Sequence, residues 1–112
     1  TWIFANHWDI TPIALHCLTL SRVAEEALTN IIKHSQATDV EVSLTQDAQY
    51  RIILEIRDNG IGFVADSVQE GLHVGLQSMQ VRVKRIGGDF HISSETGLTV
   101  IRAIVPQRAI CE

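Results

Sequence analysis

Tyr50-Arg51-Ile52-Ile53-Leu54-Glu55-Ile56-Arg57-Asp58-Asn59-Gly60-Ile61-Gly62-Phe63 holds the transition on which the fold turns. Residues 50–57 are rich in β-branched and apolar side chains, and Ile52, Leu54 and Ile56 alternate as they do in a half-buried strand. The strand stops abruptly at Asp58-x-Gly60-x-Gly62. An aspartate placed there can accept a hydrogen bond from an exocyclic amino group, and the glycines let backbone approach a flat ring or a phosphate. The competing reading, in which Asn59-Gly60 is simply a hairpin turn, is weakened because no strand follows it.

Upstream, residues 39–45 alternate with Val40, Val42 and Leu44 on one face, and residues 46–49 form a polar turn. The two runs therefore read as an antiparallel hairpin. Before them, residues 13–34 carry Leu20, Ala24, Ala27, Leu28, Ile31 and Ile32 at helical spacing. Residues 2–8 (WIFANHW) suit a short strand, and residues 9–12 (DITP) supply helix-start chemistry.

Downstream, residues 64–72 are small, polar and acidic, as expected of an exposed loop of about ten residues that can serve as a lid. Leu76, Met79, Val83 and Ile86 place a second helix over residues 74–86, ended by Gly87-Gly88. Residues 89–94 and 98–105 read as two strands joined by Glu95-Thr96-Gly97, with Pro106 closing the last. Two helices cannot cover both faces of five strands. The expectation is an α+β fold, a two-layer sandwich with a mixed, largely antiparallel sheet and its helices on one face.

The 112 residues suffice for one domain, and 46% hydrophobic with 20% charged residues is an ordinary globular balance. A net charge of −4 argues against binding nucleic acid through a broad basic surface. No apolar run is long enough to span a membrane, and Cys17 and Cys111 lack the spacing of a zinc site or a disulfide framework. The chain starts at Thr1 rather than Met, so a longer parent is expected.

Two further groups of residues carry chemistry. Glu26, Asn30 and Lys33, with His34 beside them, fall at spacings of four and three, on one helical face next to the apolar stripe. A carboxylate, an amide oxygen and an ammonium suit hydrated Mg²⁺, which takes one or two protein oxygens alongside substrate phosphates. An ordinary solvated face with a Glu-to-Lys pair is the competing reading. The other group is Gly71-Leu72-His73-Val74-Gly75-Leu76-Gln77-Ser78-Met79, in which Gly75-Leu76 opens the second helix and leaves free N–H groups for an anion. A plain glycine-containing loop before a helix competes with it. His7, His16, His73 and His91 have no metal-ligand spacing, and no nucleophile with a paired base is apparent.

Together these segments resemble the catalytic domain of bacterial sensor histidine kinases, within the gyrase B, heat-shock chaperone and MutL ATPase superfamily. Residues 26–34 (EALTNIIKH) resemble its N box and residues 58–63 (DNGIGF) its G1 box. Gly75-Leu76-x-x-Met79, Arg82-Val83 and Gly87-Gly88 resemble the segment that follows, and Gly97 and Thr99 fall at its last glycine-threonine element. The short lid and the form of the N box look most like the nitrate-sensor and DesK-like subgroup. The sequence departs from the pattern at His73, where many members have glycine, and at Leu98, which replaces the glycine before that threonine.

The resemblance implies one ATP-binding catalytic domain over residues 1–112, a fragment of a larger kinase, with ATP and Mg²⁺ as cofactors. It implies that Asn30 coordinates Mg²⁺, that Glu26 orients a metal-bound water or assists chemistry, and that Lys33 and His34 lie near the phosphates. It places the adenine amino group at Asp58, nucleotide along Gly60, Gly62, Gly75 and Leu76, with His73 taking part in the phosphate loop and Thr99 supporting adenine through water. The γ-phosphoryl group then passes to a histidine on a separate dimerization domain of the parent, and onward to a LuxR-type response regulator. The parent is expected to be homodimeric and the domain cytoplasmic, with membrane anchoring of the parent left open. An isolated fragment is expected to bind ATP and turn it over poorly. The alternatives are an anti-sigma-factor-type serine kinase and a degenerate nucleotide-binding module.

Overall fold

The computed structural model describes residues 2–4, 14–61, 70–95 and 97–106. The chain runs β1 (Trp2–Phe4), α1 (Ala14–Asn30), a π-helical turn (Ile31–Ser35), β2 (Val40–Gln46), β3 (Ile52–Asp58), α2 (Glu70–Arg85), β4 (Asp89–Glu95) and β5 (Leu98–Val105). Residues 5–13 and 62–69, Thr96 and Cys111 lie outside the described residues. The helix-start segment 9–12 and most of the expected lid fall among them.

One five-stranded sheet has the order β1-β2-β3-β5-β4. β1 runs parallel to β2, and every other pairing is antiparallel. Alternation along β3 turns Ile52, Leu54, Ile56 and then Asp58 inward, all of them buried. The register sets these four opposite Val105, Ala103, Ile101 and Thr99 of β5. The inward face is thus a row of apolar cross-strand pairs that ends in one polar pair, Asp58 beside Thr99. Leu20, Val23 and Ala27 of α1, with Met79 and Val83 of α2, close the core over that row.

α2 ends as the double glycine predicts. The Gly88 N–H donates to Val83 O at 2.9 Å and the Gly87 N–H to Lys84 O at 3.0 Å, with Gly87 at φ +79°. This pattern satisfies carbonyls that a helix end leaves open, and Gly87 supplies the left-handed residue. The β2–β3 turn is held by Asp47, whose Oδ1 accepts from the Gln49 and Arg51 N–H groups, both at 2.9 Å.

Three expectations are corrected. Residues 70–72, read as the end of the loop, are helical, because α2 starts at Glu70. The first helix does not continue as an α-helix to residue 34: its last turn is π-helical, with more residues per turn than an α-helix has. That change of phase rotates the residues after Asn30, leaving Ile32, counted in the apolar stripe, 83% exposed.

His16 is buried on α1, and its Nδ1 has no hydrogen-bond partner among the described residues. Burial holds its pKa below the ordinary value of 6.5, because the charged form loses hydration. The stability that depends on neutral His16 is complete above about pH 6.5 and is lost as pH falls through the lower folded-state value. On the outer sheet face, burial works to raise the Glu55 carboxyl, but hydrogen bonds from Arg102 and Arg57, with their charges, outweigh it and hold it below its ordinary value of 4.5. Glu55 therefore stays ionised between pH 5.5 and 7.5. Urea midpoints at those two pH values are expected to fall on acidification in the wild type and to stay level in His16→Leu; equal falls in both would remove His16 as the cause.

Candidate functional site

Asp58 reaches its place through the pleat of β3. The same alternation that buries Ile56 turns the Asp58 carboxylate inward, 3% exposed, and the β5 register sets Thr99 next to it, 1% exposed. Directly paired residues on one sheet face hold their Cβ atoms roughly 5 Å apart. Asp58 Oδ1 accepts the Gly60 N–H at 2.9 Å, which bends the chain sharply out of the strand. Thr99 Oγ1 lies 3.1 Å from Ser94 Oγ. The result is an acidic acceptor beside a hydroxyl at the polar end of the core. A cleft of about 490 Å³ at this end of the sheet is lined by Asp58 with Thr38, Asp39, Asn59, Gly97 and Leu98, and by Val40, Glu41 and Arg57, the last two from the outer sheet face.

The bend at residues 59–61 is fastened by residues the sequence reading did not single out. Asn59 Oδ1 accepts the Thr38 and Asp39 N–H groups at 2.9 and 3.0 Å, and its Nδ2 donates to Thr38 Oγ1 at 2.8 Å. The Ile61 N–H donates to Ser35 O at 2.8 Å. Ser35 is itself buried in the π-helical turn, with its Oγ donating to Ile31 O at 3.0 Å and accepting the Ala37 N–H at 3.1 Å. Gly60 packs so closely on Ser35 that a Cβ built there would overlap the Ser35 carbonyl oxygen. A left-handed Gln36 after the π-helical turn, φ +57°, lets the chain double back. Nothing in the spacing of Lys33-His34-Ser35-Gln36 announces this junction; Asn59, between Asp58 and Gly60, was the available signal.

Glu26 and Asn30 lie one turn apart on α1, and α2 brings Gly75 against both. A Cβ built on Gly75 would stand 2.5 Å from Glu26 Oε2 and 3.3 Å from Asn30 Nδ2. Asn30 was expected beside the apolar stripe; it continues the buried one, at 3% exposure, because 16, 19, 20, 23, 27 and 30 form a single inward face. Among the described residues its Nδ2 has no hydrogen-bond partner. Leaving such a group unpaired costs about 1–3 kcal/mol. An amide turned over about its last bond presents oxygen in place of nitrogen, so the same position can ligate a cation.

Two expectations about this corner do not hold. Lys33 is exposed and does not share the Asn30 face, because the π-helical turn intervenes. Gly75 does not open α2; it lies inside the helix that begins at Glu70, so its N–H is not among the free ones of the first turn. What Gly75 contributes is the absence of a side chain where α2 meets Glu26 and Asn30. Leu76, next in α2, is partly buried against the core. The side chains of His34 and His73, and the whole of Gly62, lie outside the described residues.

A second cleft, about 580 Å³, opens between α1 and α2 and is lined by Arg22, Glu25, Glu26, Thr29, Ser78 and Arg82. Glu26 thus faces both this cleft and Gly75. Among the described residues no group of three or more His, Cys, Asp or Glu side chains could cage a metal. A cation held at Asn30 and Glu26 would have to take most of its ligands from water or a bound phosphate, which is the habit of Mg²⁺ rather than of zinc or calcium. The residues present fit that ion.

Comparison with known proteins identifies the family and the fold. Residues 17–109 match the family described as histidine kinase-, DNA gyrase B- and HSP90-like ATPase. The chain is 38% identical over 106 residues to the signal transduction histidine-protein kinase/phosphatase UhpB of Salmonella typhimurium, covering 92% of this chain and 20% of that protein. It is 36% identical over 81 residues to the sensor histidine kinase ComP of Bacillus subtilis, covering 71% of this chain and 10% of ComP. The chain therefore spans about a fifth or less of these relatives' length. Among solved structures, the histidine kinase domain of the Erythrobacter litoralis EL346 blue-light activated histidine kinase superposes with a TM-score of 0.69 at 15% identity, covering 95% of this chain and 50% of that one. The Acinetobacter baumannii histidine kinase AdeS gives 0.68 at 18% identity, covering 82% and 47%. At these identities the superpositions speak for the fold, an α+β sandwich with its helices against a largely antiparallel sheet.

Proposed function

Since this chain belongs to the histidine kinase-, DNA gyrase B- and HSP90-like ATPase family, we propose that it is the ATP- and Mg²⁺-binding catalytic domain of a sensor histidine kinase, donating the γ-phosphoryl group to a histidine on a separate dimerization domain of its parent. The observation that carries the metal-bound form of this reading is the buried side chain of Asn30, whose Nδ2 has no hydrogen-bond partner among the described residues, beside Glu26 and under Gly75. Bound at Asn30, Mg²⁺ would supply charge neutralisation for the phosphates, where most of the help for phosphoryl transfer arises.

The chain's own residues then divide the work. Asp58 accepts the adenine amino group, with Thr99 beside it holding a bridging water, and the core row below them gives the ring an apolar floor. Asn30 fixes the triphosphate end relative to the base, and Glu26 holds a water or takes a proton at its carboxylate. Exposed Lys33, with His34 and His73, attracts the phosphates from the rim, and Gly60 and Gly62 keep side chains away from the nucleotide. Downstream of the parent's acceptor histidine we place a LuxR-type response regulator. The parent is read as homodimeric and the domain as cytoplasmic; among the described residues no helix is long and apolar enough to cross a membrane.

Calorimetric titration with ATP and ADP, with and without Mg²⁺, tests the reading. Saturable adenine-nucleotide binding that strengthens with Mg²⁺ is expected, and Asn30→Ala is expected to lose the metal dependence while keeping metal-free binding. Binding that ignores Mg²⁺ in both proteins would remove Asn30 as the ligand, and no binding at millimolar nucleotide would reject the catalytic reading.

A further inference from the structure

The bend at residues 59–61 is tied to three other parts of the chain. The Ile61 N–H donates to Ser35 O at 2.8 Å, the Gly97 N–H donates to Gly60 O at 2.9 Å, and the Asn59 N–H donates to Asp39 O at 3.3 Å. All of these bonds run from backbone to backbone. Among the described residues only Asn59 adds a side chain to them, so its contribution alone can be changed without altering the partners of the backbone itself.

The β2–β3 ladder ends at the pair Val40 and Asp58. One residue further, the exposed Asn59 uses both halves of its amide. Its Oδ1 accepts the Thr38 and Asp39 N–H groups at 2.9 and 3.0 Å, and its Nδ2 donates to Thr38 Oγ1 at 2.8 Å and to Asp39 Oδ2 at 3.3 Å. Two N–H donors facing one atom identify that atom as the oxygen. Water can serve the same exposed groups, so burial does not demand this network. What the network sets is the place of Gly60. The Gly60 N–H donates to Asp58 Oδ1 at 2.9 Å, and because a carboxylate is planar, the position of that donor sets the direction of the second Asp58 oxygen, the one assigned to the adenine amino group.

We propose that Asn59 is a positioning residue for the base: by fastening the bend to Thr38 and Asp39 it places the Gly60 N–H, and through it aims the free oxygen of Asp58. The inference rests on the catalytic reading above. Asn59 itself touches neither nucleotide nor metal in this role. Asn30 is held by its own burial on α1, so loss of the Asn59 network acts on the base end and leaves the metal end in place. A contact to the base, remote from the transferred phosphoryl group, is equally strong in the ground and transition states. Its loss therefore raises the KM for ATP and spares kcat.

The test is autophosphorylation by the intact parent kinase as a function of ATP concentration, with thermal unfolding of each protein alongside. Asn59→Ala is expected to raise the KM for ATP about tenfold while kcat stays within about twofold of the wild type. Asn59→Asp keeps an acceptor for the two N–H groups but sets a carboxylate against that of Asp39, and its KM is expected to rise as well. Adding Asp39→Asn exchanges donor and acceptor between the two positions, and this swapped pair is expected to recover most of the wild-type KM. If Asn59→Ala does not fold, the comparison of Asn59→Asp with the swapped pair decides. An unchanged KM in folded Asn59→Ala, a loss carried by kcat instead, or a swapped pair no better than Asn59→Asp would overturn the proposal. A wild-type parent that binds no ATP would overturn the catalytic reading on which it stands, an outcome visible before any variant is made.

Discussion

Replacing Asp58 with asparagine is expected to weaken ATP and ADP binding by about 10- to 100-fold while leaving the fold intact. The size follows from the loss of one hydrogen bond to a charged group, about 1.5–3 kcal/mol. The specificity of the test comes from the geometry. The Gly60 N–H needs only an oxygen at the Oδ1 position, 2.9 Å away, and asparagine still supplies one, so the bend at residues 59–61 survives. What changes is the second oxygen, replaced by an amino group that faces the adenine amino group donor to donor. Guanine carries a carbonyl at the corresponding ring position, which that new donor suits. Titrations with ATP, ADP, GTP and GDP check this directly: adenine nucleotides should lose far more than guanine ones. Parallel losses for both bases would show that Asp58 supports the pocket without reading the base.

The largest effect on stability is expected from Gly60→Ala. A Cβ at Gly60 would overlap the Ser35 carbonyl oxygen and stand 2.7 Å and 2.8 Å from Ser35 Cβ and Oγ. The blocking group is buried backbone, which cannot swing aside as a long side chain could. Relief requires separating residues 59–61 from the π-helical turn, which breaks the Ile61-to-Ser35 hydrogen bond and disturbs the Asn59 contacts with Thr38 and Asp39. A cost of about 3 kcal/mol or more is expected, lowering Tm by on the order of 10–20 °C in a domain of this size. Gly97→Ala is the control. Gly97 has φ +89°, yet no atom lies within 4 Å of a Cβ built there, so only the backbone term of about 1–2 kcal/mol applies. Equal Tm losses in the two variants would mean that the chain, rather than the Ser35 contact, sets the requirement for glycine.

Local periodicity made much of this fold legible. Alternation at Ile52, Leu54 and Ile56 identified β3, which the structure extends by one residue so that the same alternation turns Asp58 inward. Helical spacing identified the packing faces of both helices, Leu20 to Ala27 in one and Met79 with Val83 in the other. The Gly87-Gly88 stop and the two hairpins followed from turn chemistry. Residue order and type thus determined the α+β class, the two layers and the candidate residues Glu26, Asn30 and Asp58.

Tertiary structure alone decided how those residues meet. Extrapolating α-helical spacing kept Lys33 on the face of Asn30 and Ile32 in the apolar stripe, but a π-helical turn rotated both outward. A pattern of side chains specifies a period, whereas a change of period within a helix is stabilised by contacts outside it, here Ser35 against Gly60 and Ile61. Gly75 read as a helix start because glycine breaks helices locally; its helical conformation fits packing on Glu26 and Asn30, where a larger side chain has no room. The pairing of Asp58 with Thr99 depends on a sheet register between segments about forty residues apart. Local sequence contains the inward-facing residues; only the folded sheet and helix layer choose which of them become neighbours.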